Sequence, residues 1–205
     1  MGGGGGGGGG YGARYLEVVP GQSFDLRIGT GGLGGAALTG DGTDGGDTVI
    51  KYTSSPVSEF VLKVPGGKGG GKARITLTPP REGLGGGVGV VATQCAANPP
   101  ASAAPASDSI DCRTPTLGEG GYINPISHLH GTAFGGIGGA APYGASGARP
   151  QLNPAAAYAK GRSPGGGGAG GSFFEVSGTA VAQPARAGSD GGKGKVIIWY
   201  GPGVY

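Results

Sequence analysis

Apolar residues in this chain come in short alternating blocks, and glycine separates the blocks. Phe24, Leu26 and Ile28 alternate with Asp25 and Arg27, so Ser23 to Ile28 has the pattern of a strand with one apolar face. Ala13 to Val19 is a second strand, and the turn Pro20-Gly21 between them predicts a hairpin. Asp47 to Tyr52, Glu59 to Val64, Ala73 to Thr78, Val88 to Gln94, Ser172 to Val176 and Lys195 to Tyr200 have similar strand-forming content. No window combines helical apolar spacing with capping residues, so little or no α-helix is expected.

Glycine, at 54 of 205 residues, decides how these blocks are held together. It forms runs at Gly2–Gly10, Gly69–Gly71 and Gly165–Gly168. Each glycine gives up more backbone freedom on folding than any other residue and buries no side chain, which favours disorder. A composition of 36% hydrophobic and 7% aromatic residues is also too poor for a conventional core of this size. The alternative is backbone packed on backbone. Extended three-residue-per-turn helices have no internal hydrogen bonds, so each N–H and C=O must find a partner on a neighbour, and glycine allows the close approach. The expected fold is mostly irregular and β, with short strands and hairpins around packed polyglycine II helices.

One domain over 1–205 is expected, in four stretches: a strand-glycine module (1–53), a second module (54–94), a loop-rich insertion (95–164) and a closing module (165–205). Between Cys95 and Cys112 the composition shifts to Ala, Pro and Ser, as in an ordered excursion or a flexible loop. Thr114 to Pro164 holds most remaining prolines, several aromatics and both histidines, and has the look of irregular loops.

Charge excludes some functions. The net charge is +3 and the basic residues are scattered, which argues against nucleic-acid capture; Lys63, Lys68 and Lys72 are an ordinary surface group. No apolar run approaches the roughly 20 residues of a membrane helix, so no membrane insertion is expected. The N-terminal glycines lack the features of a signal peptide, so any export takes another route, such as cell lysis.

Candidate chemistry is sparse. Gly29-Thr30-Gly31-Gly32-Leu33-Gly34 fits GxGxxG after a strand, but a dinucleotide site also needs a helix directly afterwards, and Gly35 to Gly46 cannot supply one. Ser189 to Lys195 departs from a phosphate loop at its first and last positions. Asp41, Asp44 and Asp47 offer oxygens without the spacing of a calcium loop, and turn-stabilising aspartates are the simpler reading. His128 and His130 share a strand face, but a zinc site needs three or four ligands and none is close in sequence. No nucleophile or base can be assigned to them, so neither an enzymatic activity nor a cofactor is expected. Cys95 and Cys112, the only cysteines, suggest a disulfide worth about 3 kcal/mol; two reduced thiols in a protein assembled in the cytosol are the alternative.

The polyglycine start, the stretch VVPGQSFDLRIGTGGLGG, the strand GGDTVIKY, the repeat VPGGKGGGKA and the terminal GSDGGKGKVIIWY resemble the glycine-rich domain of tailed-bacteriophage tail fibres, minor tail proteins and receptor-binding adhesins. The resemblance spans Gly2 to about Gln94 and Ser163 to Tyr200. It implies a sandwich of polyglycine II helices with variable tip loops that contact the bacterial surface. It further implies a virion protein of the tail tip or fibre, assembled in the host cytoplasm, whose partners are other virion or tail proteins and a surface glycan or outer-surface protein. Receptor contact would then fall to Tyr122, His128, His130, Phe134, Tyr143 and Tyr158 in the non-repetitive middle, because amphipathic rings give large contact area at low entropy cost. The competing expectation is an architectural subunit, a capsid decoration protein or part of an extracellular filament, without receptor binding.

Overall fold

The computed structural model describes residues 4–36, 40–56, 59–72, 96–98, 110–113, 122–127, 130–134, 136–142, 147, 160–170, 173–174 and 187–201. None of these is helical. The strands among them are β1 (Tyr11–Arg14), β2 (Phe24–Arg27), β3 (Thr48–Tyr52), β4 (Phe60–Val64), β5 (Ala96–Asn98), β6 (Ile110–Arg113), β7 (Tyr122–Ser127), β8 (His130–Phe134) and β9 (Phe173–Phe174). All pairings are antiparallel: β2-β3-β4-β5 in one sheet, β7-β8-β9 in another, and β1 with β6.

Among the described residues the buried apolar side chains are few: three sit on β3 and β4, and Ala169 lies in a glycine segment. Val61 is 3% exposed, and Leu62 and Tyr52 are also buried. Phe24 lies directly opposite Tyr52 in the β2–β3 register, with ring centroids 4.8 Å apart, an aromatic cross-strand pair that fixes the register. Arg14 on β1 donates to the carbonyl of Val61 at 2.8 Å and so ties β1 to β4.

Most of the architecture lies in extended glycine segments, joined by hydrogen bonds that recur at every third residue. Segment 4–10 donates from Gly4, Gly7 and Gly10 to Gly71, Lys68 and Pro65, and from Gly6 and Gly9 to Gly168 and Gly165. Segment 40–47 donates from Gly42 and Gly45 to Gly70 and Gly67, and from Gly40, Thr43 and Gly46 to Ala36, Leu33 and Thr30. Segment 188–194 donates from Gly188, Gly191 and Gly194 to Gly35, Gly32 and Gly29, and from Ser189 and Gly192 to Ala169 and Gly166. These bonds measure 2.7–3.2 Å. They close a ring in the order 4–10, 65–72, 40–47, 29–36, 188–194, 165–170 and back to 4–10. Donor and acceptor segments alternate around it; the one reversed ring bond runs from the Gly165 N–H to Lys193. Segment 136–142 packs against the outside of the ring, receiving Gly167 and Gly170 and donating from Gly139 to Gly6.

The ring decides which strands meet. Segments 29–36 and 40–47 lie antiparallel and deliver β2 and β3 side by side; 40–47 and 65–72 do the same for β3 and β4. The expected hairpin between Ala13–Val19 and Ser23–Ile28 is therefore replaced. Its turn exists, with Gln22 N–H donating to Val19 at 3.2 Å and Gly21 at φ 89°, a conformation suited to glycine. But β2 pairs with β3, and β1 pairs with β6.

Two further expectations change, and for the stretch from Cys95 to Cys112 the ordered alternative holds at both ends. Lys195–Tyr200 is not a strand: it leaves the ring beside the end of β2 without a ladder, with Trp199 70% and Tyr200 91% exposed. The stretch from Cys95 to Cys112 contains β5 and most of β6, and the supposed loops of Thr114–Pro164 contain the β7–β8 hairpin. Ala73–Thr78 and Val88–Gln94 lie outside the described residues.

Glycines in the ring are not equivalent. A Cβ on Gly67 would collide with the carbonyl oxygen of Gly7, whereas one on Gly45 would have its nearest atoms at 3.4 and 3.5 Å. Gly67→Ala should therefore destabilise by on the order of 3 kcal/mol through forced backbone displacement. Gly45→Ala should stay within about 1 kcal/mol, aided by a less disordered unfolded chain. Paired denaturant melts check both, and equal losses would contradict the ring geometry.

Candidate functional site

Three-residue spacing also governs the polar side chains. Asp41, Asp44 and Asp47 stand at every third position of segment 40–47, on the side away from the ring's interior bonds. Their Oδ1 atoms accept the backbone N–H groups of Lys72 at 2.6 Å, Gly69 at 2.9 Å and Gly66 at 3.3 Å, again every third residue. They stabilise a segment 19 to 31 residues distant, not their own turn. Along extended backbone, residues three apart start about 10 Å apart, so these carboxylates line a row and do not converge on one ion. Among the described residues there is no metal-competent cluster of His, Cys, Asp or Glu.

The same device recurs around the ring. Asp190 accepts the Gly34 N–H at 3.0 Å, Thr43 Oγ1 that of Leu33 at 2.8 Å, Thr48 Oγ1 that of Gly29 at 3.0 Å, and Ser189 Oγ that of Ala169 at 2.8 Å. Each of these N–H groups belongs to an acceptor segment, whose carbonyls serve the ring and whose amides need oxygens from elsewhere. Asp, Ser and Thr on or just after the donor segments supply them.

Lysines complete the row. Lys63 pairs with Asp47 at 2.8 Å, Lys68 with Asp44 at 2.7 Å and Lys160 with Asp190 at 2.9 Å. Of the group Lys63, Lys68 and Lys72, the first two are thus paired with carboxylates and the third serves Asp41 through its backbone N–H. The Lys68 ammonium and then the Gly69 N–H hold the Asp44 carboxyl below its usual value; Lys160 and then Gly34 do the same for Asp190. Lys68 is correspondingly raised by Asp44.

The GxGxxG run is wall, not cradle. Gly29, Gly32 and Gly35 abut the backbone of 40–47, and Gly31 and Gly34 that of 188–194, while Thr30 and Leu33 point to solvent. Ser189 to Gly194 is likewise a ring segment.

Of the expected receptor contacts, Tyr122 and Phe134 lie opposite each other in the β7–β8 register, and His130 begins β8 opposite Ser127. His128, Tyr143 and Tyr158 lie outside the described residues. Cys112 sits half-buried on β6 and is not a free thiol, while Cys95 lies outside the described residues. An exposed apolar set was not anticipated. Tyr15, Val18, Leu26, Ile197, Ile198 and Trp199 line one open cavity at the strand end of the ring, each roughly half exposed or more. The signal was the last apolar block, which lacks a sequence-adjacent partner strand.

A family model described as a glycine-rich domain matches residues 1–201, and the chain belongs to that family. No curated protein and no solved structure matches it.

Asp44→Ala strands the Gly69 N–H and should cost about 1 kcal/mol, the scale of one hydrogen bond to a charged group after screening at an exposed site. Asp44→Asn keeps an acceptor and should cost less. Because Asp44 and Asp190 titrate lower in the folded chain, their contribution is present above the ordinary carboxylate value of about 3.9 and is lost as pH falls through the depressed one. Melting temperature should hold from neutrality to about pH 5 and fall below about pH 4; a rise on acidification would contradict this assignment.

Proposed function

We propose that this chain is a structural protein of a bacteriophage virion, part of the tail tip or a tail fibre, in which packed polyglycine II helices carry a receptor-binding surface. The observation that carries this reading is the three-residue hydrogen-bond register that joins six glycine segments into one ring. Such a ring is a stiff scaffold with little investment in a core, suited to presenting other segments at the end of a particle. The resemblance of its strand-glycine blocks to tail-fibre and adhesin domains supplies the particle. Receptor contact falls to the middle of the chain, around Tyr122, His128, His130, Phe134, Tyr143 and Tyr158, with a bacterial glycan or outer-surface protein as ligand. Other virion proteins are the remaining partners, nucleic acid and membrane are not, and no catalytic role is assigned. Assembly takes place in the host cytoplasm and the mature location is the virion.

One observation favours the architectural alternative, a capsid decoration or filament subunit. The exposed apolar residues at the strand end, with Trp199 and Tyr200 foremost, form the kind of surface that another protein covers.

Alanine substitution at Tyr122, Phe134 and Tyr143 separates the two readings. Receptor binding predicts intact particles with lost attachment to host cells; intact attachment with failed assembly assigns the segment to architecture. Locating the chain in imaged particles tests the virion assignment itself, which fails if the chain is absent from them.

We also propose the Cys95–Cys112 disulfide, which would close the loop between β5 and β6. Peptide mapping of intact particles with and without reductant should reveal one cross-linked peptide, and two freely alkylated thiols would refute it.

A further inference from the structure

The ring encloses a lumen. A cavity of about 1270 Å³, which includes the open apolar end, is lined by residues from all six ring segments. No hydrogen bond between described residues crosses it. Gly6, Gly9, Gly42, Gly45 and Gly191 face inward: a Cβ on any of them would sit 3.3 Å or more from its nearest atoms, which belong to both flanking segments. Beside these positions lie the amide nitrogens of Gly32, Gly67, Gly70 and Gly168, and none of the four donates to another described residue. They come from the three acceptor segments, 29–36, 65–72 and 165–170.

We propose that this lumen is a binding site for one extended, glycine-rich polypeptide segment supplied by another chain. Neighbouring hydrogen-bonded backbones lie about 5 Å apart, and a six-membered ring at that spacing leaves a central space one backbone wide. The occupant must then lack side chains, because an inward Cβ from the centre would meet ring backbone on every side. Its hydrogen bonding is matched as well. A chain with three residues per turn points its carbonyls in three directions about 120° apart, and the unpartnered amides of the wall lie on alternate segments of six, at the same angles. Unpaired amides in a narrow lumen are costly, and a file of carbonyls satisfies them. The long glycine runs of this chain already build the wall, so the occupant is a glycine run from a second protein. The site is independent of whether the particle is a virion.

The test uses the full chain and acetyl-hexaglycine amide, which spans about 19 Å when extended, close to the length of the ring segments. Titration followed by amide chemical shifts should give saturable one-to-one binding, with the largest shifts at Gly32, Gly67, Gly70 and Gly168. Acetyl-hexaalanine amide should not bind. The double variant Gly42→Ala/Gly45→Ala places two methyl groups in the lumen; it should keep the parent's melting temperature and lose at least about tenfold in affinity. Unmoved amides at millimolar peptide, equal binding of hexaalanine, or undiminished binding by the folded double variant would each overturn the proposal.

Discussion

The structure depends on one interaction, the backbone N–H to carbonyl bond between extended segments that lack Cβ atoms. Each such bond contributes little net energy, on the order of 1 kcal/mol, and glycine loses much entropy when ordered. Single pairs of segments would therefore be marginal. Closure changes this, because every ring segment is held from two sides and no edge is left open. The collision of a Cβ on Gly31, Gly34, Gly67 or Gly70 with a facing carbonyl explains why the acceptor segments 29–36 and 65–72 keep glycine at two of every three positions.

Alternation of donors and acceptors gives the side chains their work. Segments 4–10, 40–47 and 188–194 spend most of their amides on the ring, and Gly29, Leu33, Gly34, Gly66, Gly69, Lys72 and Ala169 of the acceptor segments donate instead to carboxylate and hydroxyl oxygens. Asp41, Asp44 and Asp47 are spaced by three because the amides they serve are spaced by three. Lys63 and Lys68 then balance two of these carboxylates at the surface.

The individual strands β2, β3 and β4 were legible in the sequence because each alternates strand-forming residues within a few positions. Their partners were not. The Pro20-Gly21 turn is a local signal for pairing β1 with β2, yet the glycine segments that adjoin the strands choose the neighbours over distances no local pattern records. Lys195–Tyr200 has strong strand composition and no ladder, since composition does not say whether a partner edge is present. The repeat of Thr30, Leu33 and Ala36, and of Asp41, Asp44 and Asp47, is visible in the sequence as side chains at every third position. It identifies the outer face of each segment, and a search for periods of two and 3.6 passes over it. Of the proposed receptor contacts, the sequence offered only their segment; the opposition of Tyr122 and Phe134 comes from the β7–β8 register.

Amide hydrogen exchange along 40–47 tests the ring most directly. Gly42, Thr43, Gly45 and Gly46 donate within the ring, whereas the Asp41, Asp44 and Asp47 amides donate to no described residue. The ring predicts slow exchange at the four and near-intrinsic exchange at the three aspartates, a period of three. Protection at alternate residues, as in a β-ladder, or uniformly fast exchange across the segment would contradict it.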